Sequence, residues 1–168
     1  MDSDMVTLEN AKTQVRVTVQ RLALLHLAYA KTLVKEFGEE KGNQLILNAI
    51  KEYGLKIAER TKNGSQSLPK YGFHQKHEGD KTYGCELALL LLEYGEEELG
   101  KLYCYVDPAK AMGADPNIKL IHTKCLLTGD SYCSFDTVPT TEKEREDFFG
   151  ENRDWSYLDP ILIKDENK

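Results

Sequence analysis

The sequence predicts an α+β fold: two N-terminal helices packed on an antiparallel sheet of about four strands, built from two hairpins with helices between them. Three observations carry this. Apolar residues recur every three or four positions through the first third of the chain. Two later strand-like stretches each flank a polar turn, Glu78-Gly79-Asp80 and Thr128-Gly129-Asp130-Ser131. A leucine-rich helical stretch lies between those hairpins.

The first helix runs from Thr7 to Phe37, where Val15, Val19, Leu22, Leu25, His26, Tyr29 and Leu33 form one amphipathic stripe. Gly38 interrupts it. Glu39-Glu40 start the second helix, with Leu45, Ile46, Ala49, Ile50, Tyr53 and Ile57 as its apolar positions, and Asn63-Gly64 and Pro69 end it. Tyr71 to His77 and Lys81 to Cys85 form the first hairpin. Glu86 to Leu99 is the third helix, its last turns weakened by Gly95 and Gly100. Asp107 before Pro108 matches an N-cap and first-turn proline, so Ala109 to Met112 is expected to make one or two helical turns. Asp115-Pro116-Asn117 is a turn. Ile118 to Leu127 and Tyr132 to Val138 make the second hairpin, and Thr141 with Glu144 forms a capping box for a short helix to Phe149. The last twenty residues hold few apolar groups and are expected to wrap loosely. The chain thus divides, as a single domain over 1–168, into a helical hairpin (1–64), an α+β core (70–138) and a C-terminal extension (139–168).

Composition narrows the function. Apolar residues make up 40% and charged residues 30% of 168 residues, enough to bury a core without covalent staples. The net charge of -6 argues against nucleic acid or an anionic membrane as partner. The acidic start lacks the basic region and apolar core of a signal peptide, and the aliphatic run Leu87 to Leu92 is too short for a bilayer. These features predict a cytoplasmic protein. In a reducing compartment its four cysteines are ligands, nucleophiles or core residues rather than disulfides.

The densest chemical signal lies between Cys104 and Cys133. His122 and Cys125 are three apart, Cys133 follows eight further on across a turn, and Cys104 lies upstream. Thiolate and imidazole suit zinc, with iron also possible, and the four residues would fill a tetrahedral shell. Strand geometry objects, because residues three apart on a regular strand face opposite sides. His122 and Cys125 share a metal only if a bulge intervenes or one of them lies off the strand. The alternative is that the cysteines are inert core residues. Elsewhere, His26 fits a satisfied core histidine. His74 and His77, on the first hairpin, are either exposed or line a pocket.

The segments Leu99 to Asp107, Pro116 to Leu120 and Thr128 to Phe135, with Tyr83-Gly84-Cys85-Glu86, resemble the L-2-amino-thiazoline-4-carboxylic acid hydrolase family. The matched positions are Cys85, Cys104, Asp107, Gly129, Asp130, Cys133 and Phe135; His122 and Cys125 depart from that pattern. The spacing of His122, Cys125, Gly129, Cys133 and Phe135 is also similar to the zinc site of vinyl-4-reductase-type domains, where a carboxylate usually stands in the place of His122. That second resemblance implies one metal site made of Cys104, His122, Cys125 and Cys133 on a distorted hairpin.

The resemblances imply a metal-containing hydrolase acting on a small sulfur/nitrogen heterocycle such as 2-aminothiazoline-4-carboxylate. A metal would polarise the substrate, or Cys104 or Cys85 would attack it, with Asp107 or a histidine moving protons. Cys85 precedes a helix, whose N-terminus would lower its thiol pKa. The alternative is a small-molecule-binding or sensory module whose zinc is structural, because four protein ligands close the shell. Either way the expected partner is a small-molecule ligand or substrate, and the long helical hairpin allows a homodimer.

Overall fold

A computed structural model of the chain describes residues 6–64, 76–151 and 153–163. Helix α1 (Leu8–Phe37) starts at Thr7, whose hydroxyl accepts a hydrogen bond from the Asn10 N–H at 3.2 Å. Helix α2 (Glu39–Lys62) follows after the single residue Gly38. Both helices keep their predicted bounds to within a residue.

Strands β1 (Lys76–Glu78) and β2 (Lys81–Tyr83) pair antiparallel, with Glu78 opposite Lys81. The rest of the predicted first strand, residues 71–75 with His74, and Pro69 lie outside the described residues. The single predicted helix from Glu86 to Leu99 is two helices, α3 (Glu86–Glu93) and α4 (Glu97–Cys104). Gly95 breaks it with φ 65°, a left-handed conformation that side chains with a Cβ resist. The turn there lets the Glu96 N–H reach Leu91 O at 2.9 Å.

Helix α5 (Val106–Ala114) begins earlier and ends later than predicted. Asp107 is therefore not its cap but the second residue of its first turn, where a carboxylate still complements the helix dipole. Pro108, next in that turn, removes an N–H that has no partner within the helix. Strands β3 (Ile118–Lys124) and β4 (Ser134–Pro139) pair from Ile118 opposite Pro139 to Lys124 opposite Ser134. Among the described residues the four strands make two antiparallel pairs, joined by one isolated bridge between Thr82 and Cys133. Helix α6 (Glu142–Phe149) carries the predicted capping box. Thr141 Oγ1 accepts from the Glu144 N–H at 3.2 Å, and Glu144 Oε2 accepts from the Thr141 N–H at 2.8 Å.

One core joins these layers. α2 lies along α5, and α5 covers β3, so the N-terminal helices reach the strands through α5. The α2–α5 contact is close because Gly54 has no side chain. A Cβ there would stand 2.6 Å from Ala109 Cβ and 2.9 Å from Lys110 N.

The C-terminal segment does not wrap loosely. Trp155, Leu158 and Asp159 are fully buried and Leu162 nearly so. The Trp155 ring meets Tyr105 and Phe148 edge-on, at 5.4 and 5.2 Å. The segment has few apolar residues, but these are large and occupy the core. Composition averaged over twenty residues hides that. No helix of the described residues is long and apolar enough to cross a membrane.

Candidate functional site

The site is built where β3 ends. The register of β3 and β4 shifts between His122 and Lys124, and Cys125 lies just past the end of the strand. Both conditions that strand geometry required are met. The bulge and the extended Cys125 (φ -141°, ψ 132°) turn two residues three apart toward one place. Cys125 then opens a 3-10 turn over Leu126–Thr128. Cys133 bridges to Thr82 through two backbone bonds of 2.8 and 2.9 Å, which tie the β1–β2 pair to the site.

Asp130 holds this loop in shape. Its Oδ2 accepts from the Cys125 N–H at 3.0 Å and the Thr128 hydroxyl at 3.3 Å, while Oδ1 accepts from Lys124 Nζ at 3.0 Å. The bond from Cys125 and the charge of Lys124 hold the Asp130 carboxyl below its ordinary pKa. Asp130 thus explains its place in the sequence motif as a fastening for Cys125.

Cys104, the last residue of α4, meets this loop from the helical side. One ligand atom each from Cys104, His122 and Cys125 lie within 4.8 Å of one another, and this group can hold a metal ion. Cys133 is adjacent but not part of that group. Its thiol and that of Cys104 each lie close enough to Cys125 to shift its pKa, and its sulfur accepts from the Leu126 N–H at 3.5 Å. Cys85 and Asp107 border the same cluster, close enough to act electrostatically on Cys104. The structure therefore brings together Cys85, Cys104, Asp107, His122, Cys125 and Cys133. His77, by contrast, is on an exposed strand with Thr82 Oγ1 at 3.2 Å from its Nδ1. His26 Nε2 bonds Leu99 O at 3.0 Å, inside the helical half.

Sequence reasoning missed Asp159. This carboxylate is fully buried, and its Oδ2 accepts both the His122 backbone N–H at 3.1 Å and the ring Nδ1 at 2.6 Å. Among the described residues its Oδ1 has no hydrogen-bond partner. The His122 ring also packs on Phe135, centroids 4.5 Å apart. With Nδ1 engaged, Nε2 is the nitrogen left for the cysteines. A carboxylate behind a ligating imidazole is the usual support of a metal-bound histidine. The available signal was the spacing of Trp155, Leu158 and Leu162 around Asp159, which marks a segment that packs.

The electrostatics follow from burial and partners. Burial pushes the His122 pKa down, but the hydrogen bond and charge of Asp159 outweigh it, and the net shift is up. The cysteines all shift toward the neutral thiol. Cys125 is pushed up to about 12, first by its bond with Cys104. Cys133 rises chiefly through its bond with Cys125. The bond to Cys125 lowers Cys104, but burial together with Cys85, Asp107 and Cys133 reverses that. Cys85 does precede α3, yet its pKa is raised rather than lowered. Burial exceeds the help of the Ala88 and Leu87 N–H groups. A cation would change this balance, because a coordinated thiol is deprotonated. Two thiols, an imidazole and a supporting carboxylate fit a soft or borderline metal.

The profile of the L-2-amino-thiazoline-4-carboxylic acid hydrolase family matches residues 16–136, well over half the chain. No curated protein and no solved structure matches it. The matched span contains every site residue except Asp159.

Proposed function

We propose a function from one premise: the chain belongs to the L-2-amino-thiazoline-4-carboxylic acid hydrolase family. In this reading it opens a small ring containing sulfur and nitrogen, with 2-aminothiazoline-4-carboxylate as substrate, at the Cys104–His122–Cys125 group. One observation carries the reading. Three donor groups converge within 4.8 Å while Cys133, the fourth ligand the spacing implied, stays outside the group. Three protein ligands leave a position open for water or substrate, whereas a fourth closes the shell. Zinc suits this donor set, and iron is the alternative. Such an ion supplies Lewis acidity and a lowered pKa for water.

The chain's own residues divide the remaining work. Asp159 orients His122 through Nδ1 and presents Nε2 to the cluster. Asp107 is partly exposed, 2.9 Å from Lys110 Nζ, and carries the proton. In the net reaction the oxygen of water bonds to the ring carbon between sulfur and nitrogen. If the carbon–sulfur bond breaks, sulfur takes one proton of that water and the ring nitrogen the other; if the carbon–nitrogen bond breaks, the nitrogen takes both. Cys104 acts as ligand rather than nucleophile, and Cys85 as a wall of the site, its raised pKa keeping it a thiol.

Metal analysis with turnover tests this. Purified protein should hold one ion per chain and hydrolyse 2-aminothiazoline-4-carboxylate. Cys133→Ser should keep the ion, and His122→Ala should lose both ion and activity. Loss of the ion and the fold together in Cys133→Ser would replace this reading with a closed structural site in a small-molecule-binding module.

A further inference from the structure

The single apolar stripe that the sequence suggests for α1 divides in the folded chain. Ala23, Leu27 and Ala30 are buried, and Val19, Leu33 and Val34 pack partly against the same core. Leu22, Leu25 and Tyr29 face outward instead, the last two more than half exposed.

The outward residues belong to a longer row. Ala11, Val15, Thr18, Leu22, Leu25, Tyr29 and Thr32 follow one another at steps of four and three. Thr18 and Thr32 are exposed, and Ala11 and Val15 partly so. None of the seven is charged, in a chain of which 30% is, so the row differs from an ordinary solvated face. Its two threonine hydroxyls are already satisfied inside the helix: Thr18 Oγ1 donates to Gln14 O and Thr32 Oγ1 to Ala28 O, both at 2.8 Å. They make no further polar demand. An apolar row that repeats every 3.5 residues is the seam along which one helix packs on another. At 1.5 Å per residue it runs for about 32 Å.

We propose that this seam is the interface of a homodimer, in which α1 of a second copy lies antiparallel along it. The row is complementary to itself when turned end for end. Leu22 then meets the second copy's Leu25, Tyr29 meets Thr18, and Val15 meets Thr32. The largest side chain faces a small one, and the two-fold axis repeats every contact. Charge selects the same arrangement. The next position at this spacing is Glu36, still inside α1. The antiparallel register sets Glu36 against the second copy's Ala11, beside its Lys12, so each end of the seam gains a pair of opposite charges. A parallel register would set Glu36 against Glu36.

Sedimentation equilibrium of the full chain tests this, at roughly 100 µM and so well above a micromolar dissociation constant. Wild type should have twice its chain mass of 19.1 kDa. Leu25→Glu, at an exposed position, should be monomeric with an unchanged circular dichroism spectrum. Lys12→Glu and Glu36→Lys should each weaken the dimer roughly three- to tenfold, and the two exchanges together should restore it. These charge variants keep the proposal testable if Leu25→Glu does not fold. Monomeric wild type overturns the proposal and leaves the seam to another segment of this chain or to a different protein. A dimer that survives Leu25→Glu also overturns it, as does one that the single exchanges leave unchanged or the double exchange fails to restore.

Discussion

Two histidines, one in each half of the molecule, shift their pKa in opposite directions. His26 lies in the helical half, partly buried, with Leu99 O at 3.0 Å and the Tyr103 ring edge-on at 5.3 Å. Burial lowers its pKa, and the carbonyl recovers only part of that. His122 lies in the strand half and is more deeply buried, yet its pKa is raised. Burial alone would order them the other way. The partner decides: a carbonyl offers a dipole, whereas Asp159 offers a full charge in a setting that screens it poorly. The helical half keeps a neutral imidazole as packing material, and the strand half holds one in an orientation fit for chemistry.

The strongest way to break this contrast is to remove Asp159. Asp159→Ala leaves the His122 N–H and ring without their buried acceptor. In metal-free protein at pH 7 it should cost about 3–5 kcal/mol in urea unfolding. A loss below about 1 kcal/mol would mean that the pair does not organise the strand half. Next in size is the seam between the halves. Gly54→Ala puts a methyl group against Ala109 and the α5 backbone. It should destabilise by about 1–3 kcal/mol although alanine is the better helix former. Stabilisation instead would show that α2 and α5 can slide apart freely.

The smallest effect sharpens the contrast from the helical side. The folded-state pKa of His26 lies below its ordinary 6.5, so the unfolded chain binds the proton more readily. Its contribution to stability is intact above pH 6.5 and falls away as pH drops below that value toward the folded pKa. Between pH 7.5 and 5, wild type should lose more stability than His26→Gln. Equal losses would refute burial as the cause of the shift.

Parts of this were legible in the sequence. The bounds of α1, α2 and α6 follow from Thr7, Gly38 and the Thr141–Glu144 box, because caps and apolar stripes act within a turn or two of the chain. The spacing of His122, Cys125 and Cys133 marked the site, and pleat geometry stated the condition on which His122 and Cys125 could meet. Whether the bulge formed was not legible, since the loop that ends β3 is fastened by Asp130 and by the bridge from Cys133 to Thr82.

The sequence by itself determined the α+β class, the long helices and the residue types able to hold a metal, all of them consequences of local periodicity and side-chain chemistry. Only the tertiary structure decided which of those residues converge. It brought the ligand atoms of Cys104, His122 and Cys125 within 4.8 Å of one another, reversed the expected shift of Cys85 through burial, and brought Asp159 from 37 residues away to His122. That last pairing depends on Trp155, Leu158 and Leu162 entering the core; their spacing marks a segment that packs, but nothing local says that it packs against His122, 37 residues away.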